Sequence, residues 1–212
     1  MASNNSSDAF TFLPQGGIIQ EFKIGGKNIV LGFPSASSYK SKSSPFFGEN
    51  IGRLANRISN AKINDLNGKS YALTANNGPN TLHGGVEGWG KKDFDGPAPV
   101  ERNGREAVLF KYLSKDGEEG FPGTVELRLW YITGVDKDEG VDKTSLEIEY
   151  EVELVGDEVE ETAVGVTNHR YGCWQGELDC DQILMVTTAT STSPTALHWR
   201  VRRSMFPRIS TR

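Results

Sequence analysis

The chain has 212 residues, 36% hydrophobic and 24% charged, with a net charge of −5 and a pI near 5.3. This is the composition of one globular domain, and its mild acidity gives no electrostatic reason to expect nucleic acid or an anionic membrane as a partner. No apolar run approaches the roughly 20 residues of a membrane-spanning helix. The polar start, Met1 to Asp8, lacks the basic-then-apolar pattern of a secretory signal, and two cysteines, Cys173 and Cys180, cannot build a disulfide framework. A cytoplasmic location is the expectation.

Residues 1–9 read as a disordered N-terminus. Glycine is in excess, 24 of 212 residues, and dispersed, which predicts many tight turns. From residue 10 the period is two. Ile18, Gln20, Phe22 and Ile24 alternate with Ile19, Glu21 and Lys23, and Ile29, Leu31 and Phe33 follow across a Gly25-Gly26 turn. Ala61 to Leu73 predicts a hairpin turning at Asn67-Gly68, a pair suited to positive φ. Ala107 to Leu113 is another strand. In Thr124 to Ile132, Val125, Leu127, Leu129 and Tyr131 oppose Glu126, Arg128 and Trp130.

Ser145 to Val155 is the clearest strand. Leu146, Ile148, Tyr150, Val152 and Leu154 share one face, and Glu147, Glu149, Glu151 and Glu153 share the other. This predicts an antiparallel sheet buried on one side, with the glutamates as a solvated row. Ala163 to Thr167 begins a further strand. The fold class is all-β, an antiparallel β-sandwich. After Asp181 no acidic residue occurs, and Arg200, Arg202, Arg203, Arg208 and Arg212 carry all the formal charge. Residues 186–196 are low in complexity. The segment 172–212 is read as an atypical, poorly ordered tail.

Three histidines exist: His83, His169 and His198. His83 lies in a turn-rich loop with amide side chains and two glycines that would let a ligand approach the backbone. His169 ends an apolar strand. Asn56 and Arg57 lie in Ile51-Gly52-Arg53-Leu54-Ala55-Asn56-Arg57-Ile58. Amide, imidazole and guanidinium groups can all bond sugar oxygens. Singly, His83 and His169 have structural readings and Arg57 a salt-bridging one; Arg53 is read as structural. Trp89 either stacks on a sugar face or packs beneath its loop. Gly85-x-x-x-x-Gly90-Lys91-Lys92 lacks the Ser or Thr of a phosphate loop. His169, Cys173 and Cys180 fit no common zinc spacing.

Together the motifs are specific. Gly48-Glu49-Asn50-Ile51-Gly52-Arg53-Leu54-Ala55-Asn56-Arg57-Ile58 resembles the G-R-x-A-N-R-I segment of aldose 1-epimerases, the galactose mutarotases. Asn76 to Gly85 is similar to their N-N-G-P-N-x-L-H-G-G loop, Asp116 to Gly123 to their D-G-E-E-G-[YF]-P-G turn, and Thr167-Asn168-His169 to the start of their T-N-H-x-Y-F-N segment. The motifs fall in the family's order.

The resemblance implies a galactose mutarotase-like β-sandwich over residues 10–171, incomplete at the C-terminus, binding a small-molecule sugar in its groove. It implies no metal or organic cofactor. It assigns Asn56, Arg57 and His83 to substrate binding and His169 to the general acid, in a reaction that interconverts the α and β anomers of hexoses such as galactose and glucose. The pattern departs after Tyr171, where Gly172-Cys173-Trp174 stands, and no residue of the tail matches the family's general base or its sugar-binding aspartate. The base is therefore unassigned. A truncated or altered C-terminus, such as a missed intron or a frame shift would produce, is the expectation. The alternative function is a catalytically inactive sugar-binding remnant. The oligomeric state is left open.

Overall fold

The structure is a computed structural model that describes residues 9–24, 26–41, 45–138, 141–171, 186–193 and 196–202. Fifteen strands follow one another: β1 (Phe10–Leu13), β2 (Ile18–Ile24), β3 (Lys27–Asn28), β4 (Asn50–Ile51), β5 (Arg57–Ile58), β6 (Lys62–Leu66), β7 (Lys69–Ala72), β8 (Thr81–Leu82), β9 (Asp95–Arg102), β10 (Arg105–Ser114), β11 (Val125–Asp138), β12 (Val141–Leu154), β13 (Thr167–Asn168), β14 (Val186–Ser193) and β15 (Ala196–Arg202). One short helix, α1 (Ala36–Tyr39), lies between β3 and β4.

Six strands form the main sheet in the order β14-β15-β12-β11-β10-β9, every neighbour antiparallel. A smaller sheet, β1-β2-β3, covers one of its faces. The predicted alternation explains the layering. Val125, Leu127, Leu129 and Tyr131 of β11 and Leu146, Ile148, Tyr150 and Val152 of β12 are all buried, in one cluster with Phe10, Ile19 and Phe22 of the small sheet. Phe12 stacks on Tyr131 with ring centroids 4.4 Å apart. Full burial of each such side chain contributes about 1.5–3 kcal/mol, so this interface is the main source of cohesion between the sheets.

The opposite face corrects the expectation of a solvated glutamate row. Glu149 is only 2% exposed. Arg102 donates to Glu149 at 2.9 Å and to Glu151 at 2.6 Å, Arg105 to Glu147 at 3.0 Å, and Arg128 to Glu126, Glu151 and Glu153. Arg102 also lies over the Trp130 ring, 4.0 Å from its centroid. Arg102 of β9, Arg105 of β10 and Arg128 of β11 all reach across the sheet to glutamates of β12, a cross-strand match that single-strand alternation does not reveal. Glu151 is held below its usual range: the Arg102 and Arg128 bonds outweigh burial, which acts first and upward.

Two other segments form less strand than expected. Only Lys27 and Asn28 pair with β2, because the Asn28 side chain accepts from the Phe22 and Val30 N–H groups at 3.0 and 3.2 Å and replaces the ladder there. In the 163–167 segment only Thr167 continues as strand. Gly165 instead bonds the 53–55 segment, accepting from Ala55 N at 2.9 Å and donating to Arg53 O at 2.9 Å. The hairpin β6–β7 forms as predicted, with Asn67 at φ 51° and Gly68 at φ 69°. Within the C-terminal segment, β15 pairs with β12 and β14 with β15. Residues 1–8, the whole Gly172–Met185 stretch with its two cysteines, and residues 203–212 lie outside the described residues.

Candidate functional site

Two short two-stranded pairings build the site. β5 pairs with β8, so Arg57 stands opposite Leu82 and His83 follows directly. The Asn56 carbonyl accepts from His83 N at 2.8 Å. β13 pairs with β4, and His169 extends that ladder: its N–H donates to Glu49 O at 2.8 Å, and its carbonyl accepts from Gly48 N at 3.1 Å. The result brings the two imidazoles face to edge, centroids 4.9 Å apart and planes at 82°.

A buried amide network fixes the β4–β13 pair against the main sheet. Asn50 Nδ2 donates to Gly16 O, Gly17 O and the Tyr131 hydroxyl, while Tyr150 OH donates to Asn50 Oδ1 at 2.5 Å. Asn168 Nδ2 donates to Gly48 O at 2.9 Å and to Asn50 Oδ1 at 3.2 Å. Unmet bonds here would each cost about 1–3 kcal/mol, so the network specifies where His169 begins.

Arg53 is structural, as expected from the sequence. It is 2% exposed and donates to Pro122 O, Gly123 O, Ser114 O and Ser114 Oγ at 2.6–3.1 Å. Burial lowers its pKa to about 10, against the upward pull of Glu118 and Asp116, so it remains a cation at neutral pH. It locks the Gly52–Ile58 segment to the Asp116–Gly123 turn.

The loop glycines act differently from expectation. A Cβ at Gly84, whose φ is +85°, would strike the Gly52 carbonyl, and one at Gly85 would strike the Glu119 carboxylate. Their bareness lets two protein segments meet; it does not open the backbone to a ligand. Trp89 is likewise buried, 1% exposed, with its ring against Gly52. It packs beneath the loop and offers no face for stacking. Lys91, in the phosphate-loop lookalike, donates to Glu49 Oε1 at 2.5 Å within a 3₁₀ turn.

Arg57 is exposed. Its Nε donates to Asn77 Oδ1 at 3.1 Å and its Nη1 to Asn56 Oδ1 at 3.2 Å. Asn77, which sequence reasoning had not singled out, thus orients this guanidinium; it belongs to the Asn76-Asn77-Gly78 motif, the only signal that could have pointed to it. Asn56, Arg57, His83 and His169 all border one region, ringed by Phe46, which contacts both imidazoles, and by Tyr171, whose ring lies 5.2 Å from that of His169.

Both imidazoles are held below the usual histidine range. Burial pushes His83 down to about 4, and the neighbouring His169 and Arg57 push it the same way. Burial also lowers His169. His83 Nδ1 and His169 Nδ1 are buried without a hydrogen-bond partner among the described residues. Two buried ring nitrogens in one region are thus left without a partner, which in a native site calls for an explanation. No group of three or more His, Cys, Asp or Glu able to hold a metal is present among the described residues.

Residues 2–185 match the family model described as aldose 1-epimerase. The chain belongs to the aldose 1-epimerase family. It is 40% identical over 144 residues to the galactose mutarotase of Bos taurus, covering 68% of this chain and 36% of that protein. It is 38% identical over 158 residues to the bifunctional protein gal10 of Schizosaccharomyces pombe, covering 74% of this chain and 21% of that one. The chain therefore spans between about a fifth and just over a third of these curated relatives. Among solved structures, the GalM/aldose epimerase homologue from C. elegans superposes with a TM-score of 0.62 at 28% identity, over 79% of this chain and 48% of that one. The galactose 1-epimerase of Lactobacillus acidophilus shares the fold, with a TM-score of 0.63 at 24% identity over 80% and 47%. The galactose mutarotase-like all-β fold expected from the motifs is the one observed.

Proposed function

We propose that this chain carries the sugar-binding and acid half of an aldose 1-epimerase site, acting on hexoses such as galactose and glucose. The observation that supports this most is the His83–His169 contact, 4.9 Å between centroids, beside Asn56 and Arg57. Four residues from three separate motifs meet where a hydroxyl-rich ring can be held.

The chemistry asks little of the protein beyond positioning. A base takes the proton of the anomeric hydroxyl while an acid protonates the ring oxygen. The C1–O5 bond breaks, the aldehyde end turns about C1–C2, and O5 re-adds to the other face of the carbonyl, returning both protons. His169 supplies the acid in its protonated form, which burial makes the minor and more strongly acidic one. His83, uncharged, bonds the sugar near the ring oxygen. Asn56 and Arg57 hold hydroxyls, and the Asn77 bond keeps the guanidinium aimed. Positioned proton transfer contributes about 10²–10⁴ in rate. No residue of this chain is assigned to the base. A cytoplasmic setting is part of this reading, supported by a cysteine content of two that fits a reducing compartment.

Polarimetry of freshly dissolved α-D-glucose tests the reading. Faster decay of rotation than in buffer is expected. Decay at the buffer rate, with sugar still bound, would leave only the inactive sugar-binding alternative.

A further inference from the structure

We propose that Glu49, Lys91 and Phe46 form a positioning unit that sets the placement of the His169 and His83 rings. The inference rests on reading those two histidines as the sugar-facing pair. It begins from an ion pair that stability alone does not explain. The Glu49 side chain is fully buried, and the Lys91 side chain is 11% exposed. Two charges taken out of water gain little over a well-packed apolar pair. The pair is nonetheless closely built in: a Cβ at Gly90 would collide with the Glu49 carboxylate.

The contacts around the pair lead to the histidines by two routes. The Glu49 carbonyl takes the His169 N–H at 2.8 Å, which fixes the His169 backbone. Glu49 Oε1 holds Lys91 Nζ, which lies 5.1 Å from the centroid of the Phe46 ring, a cation over an aromatic face. The Phe46 ring lies 4.9 Å from that of His83 and 5.5 Å from that of His169. Phe46 itself sits at φ 62°, and its carbonyl accepts from Glu49 N at 3.2 Å. Glu49 thus holds the His169 backbone through its own main-chain carbonyl, and its carboxylate reaches both imidazole rings through an ammonium and a phenyl ring. A methionine or leucine pair could fill the space, but it would not pin the Phe46 face.

The test uses the full chain and the ring C–H resonances of its three histidines. Phe46 imposes a ring-current shift on His83 and His169, so these signals report its placement whether or not sugar turns over. Lys91→Met is expected to move both sets of signals, and Lys91→Arg, which keeps the cation, to restore them. In mutarotation, Lys91→Met is expected to lower kcat about tenfold or more, the scale of a misplaced reacting group, with KM within about twofold. Should Lys91→Met fail to fold, Phe46→Leu keeps the ion pair and is expected to give the same kcat loss. Unmoved His83 and His169 signals in folded Lys91→Met, or a Phe46→Leu protein with unaltered kcat, would overturn the proposal. A wild-type chain without mutarotase activity would count against the function above, while the ring signals would still decide the positioning role.

Discussion

The His169 imidazole stands edge-on to that of His83, ring centroids 4.9 Å apart, and each ring hides an Nδ1 without a partner among the described residues. Two adjacent imidazoles that share one dry region disfavour a second positive charge, so protonating either one opposes protonating the other. The pair therefore takes up a single proton before a second, which suits a site in which one ring gives a proton while the other binds.

Replacing the acid removes chemistry more than binding. His169→Ala is expected to cost about 10²–10⁴ in kcat while leaving sugar affinity within a few fold. Polarimetry with parallel calorimetric titration of galactose checks this. An unchanged rate would remove His169 from the acid role.

The two lowered histidines make stability depend on pH. Their folded pKa values lie below the usual 6.5, so the unfolded chain binds more protons between that value and about 4. Stability is complete above pH 6.5 and is lost as pH falls through that window. His83 alone is expected to cost about 2 kcal/mol between pH 6.5 and 5, at 1.36 kcal/mol per pKa unit. Paired carboxylates such as Glu151 act lower, below their usual 4.5. Urea unfolding at pH 7.5 and 5 reads the difference, and His83→Gln should flatten it. An equally steep decline in His83→Gln would contradict the assignment.

Arg53 should matter to folding and hardly at all to the sugar. Its replacement by Leu strands the Pro122, Gly123 and Ser114 carbonyls in the interior. A loss of about 3–5 kcal/mol is expected, the scale seen when one member of a buried charged network is removed. Arg53→Lys should recover little, because a single ammonium cannot span those acceptors as a planar fork does. Denaturant midpoints decide this.

Arg57 should behave in the opposite way. It is exposed, and its bonds run to Asn77 and Asn56 side chains. Arg57→Ala is expected to shift stability by no more than about 0.5 kcal/mol and to weaken hexose binding about tenfold or more, as the loss of a charged hydrogen bond of about 1.5–3 kcal/mol implies. Wild-type affinity in Arg57→Ala would exclude it from the sugar contacts.

The strands of the main sheet were legible because their signal is local. Val125 to Tyr131 and Leu146 to Val152 alternate with period two, and each set is buried as the alternation requires. The Asn67-Gly68 turn was legible for the same reason. Glu149 was not, since its partner Arg102 comes from β9, a strand three places away in the sheet. Nor was the role of Gly84, because the carbonyl that forbids a side chain there belongs to Gly52. Asn77 was visible only as one of several amides in a loop, until Arg57 was seen to lie on it.

By itself the sequence determined the all-β class, the buried face of each long strand and the order of the four motifs, since backbone periodicity and turn chemistry act over a few residues. Only the tertiary structure decided that His83 and His169 touch, that Trp89 is sealed beneath the loop, and that a buried Glu49–Lys91 pair reaches both imidazoles through Phe46. Those contacts join residues 37 to 123 positions apart, and distance in space is set by which strands pair, not by spacing along the chain.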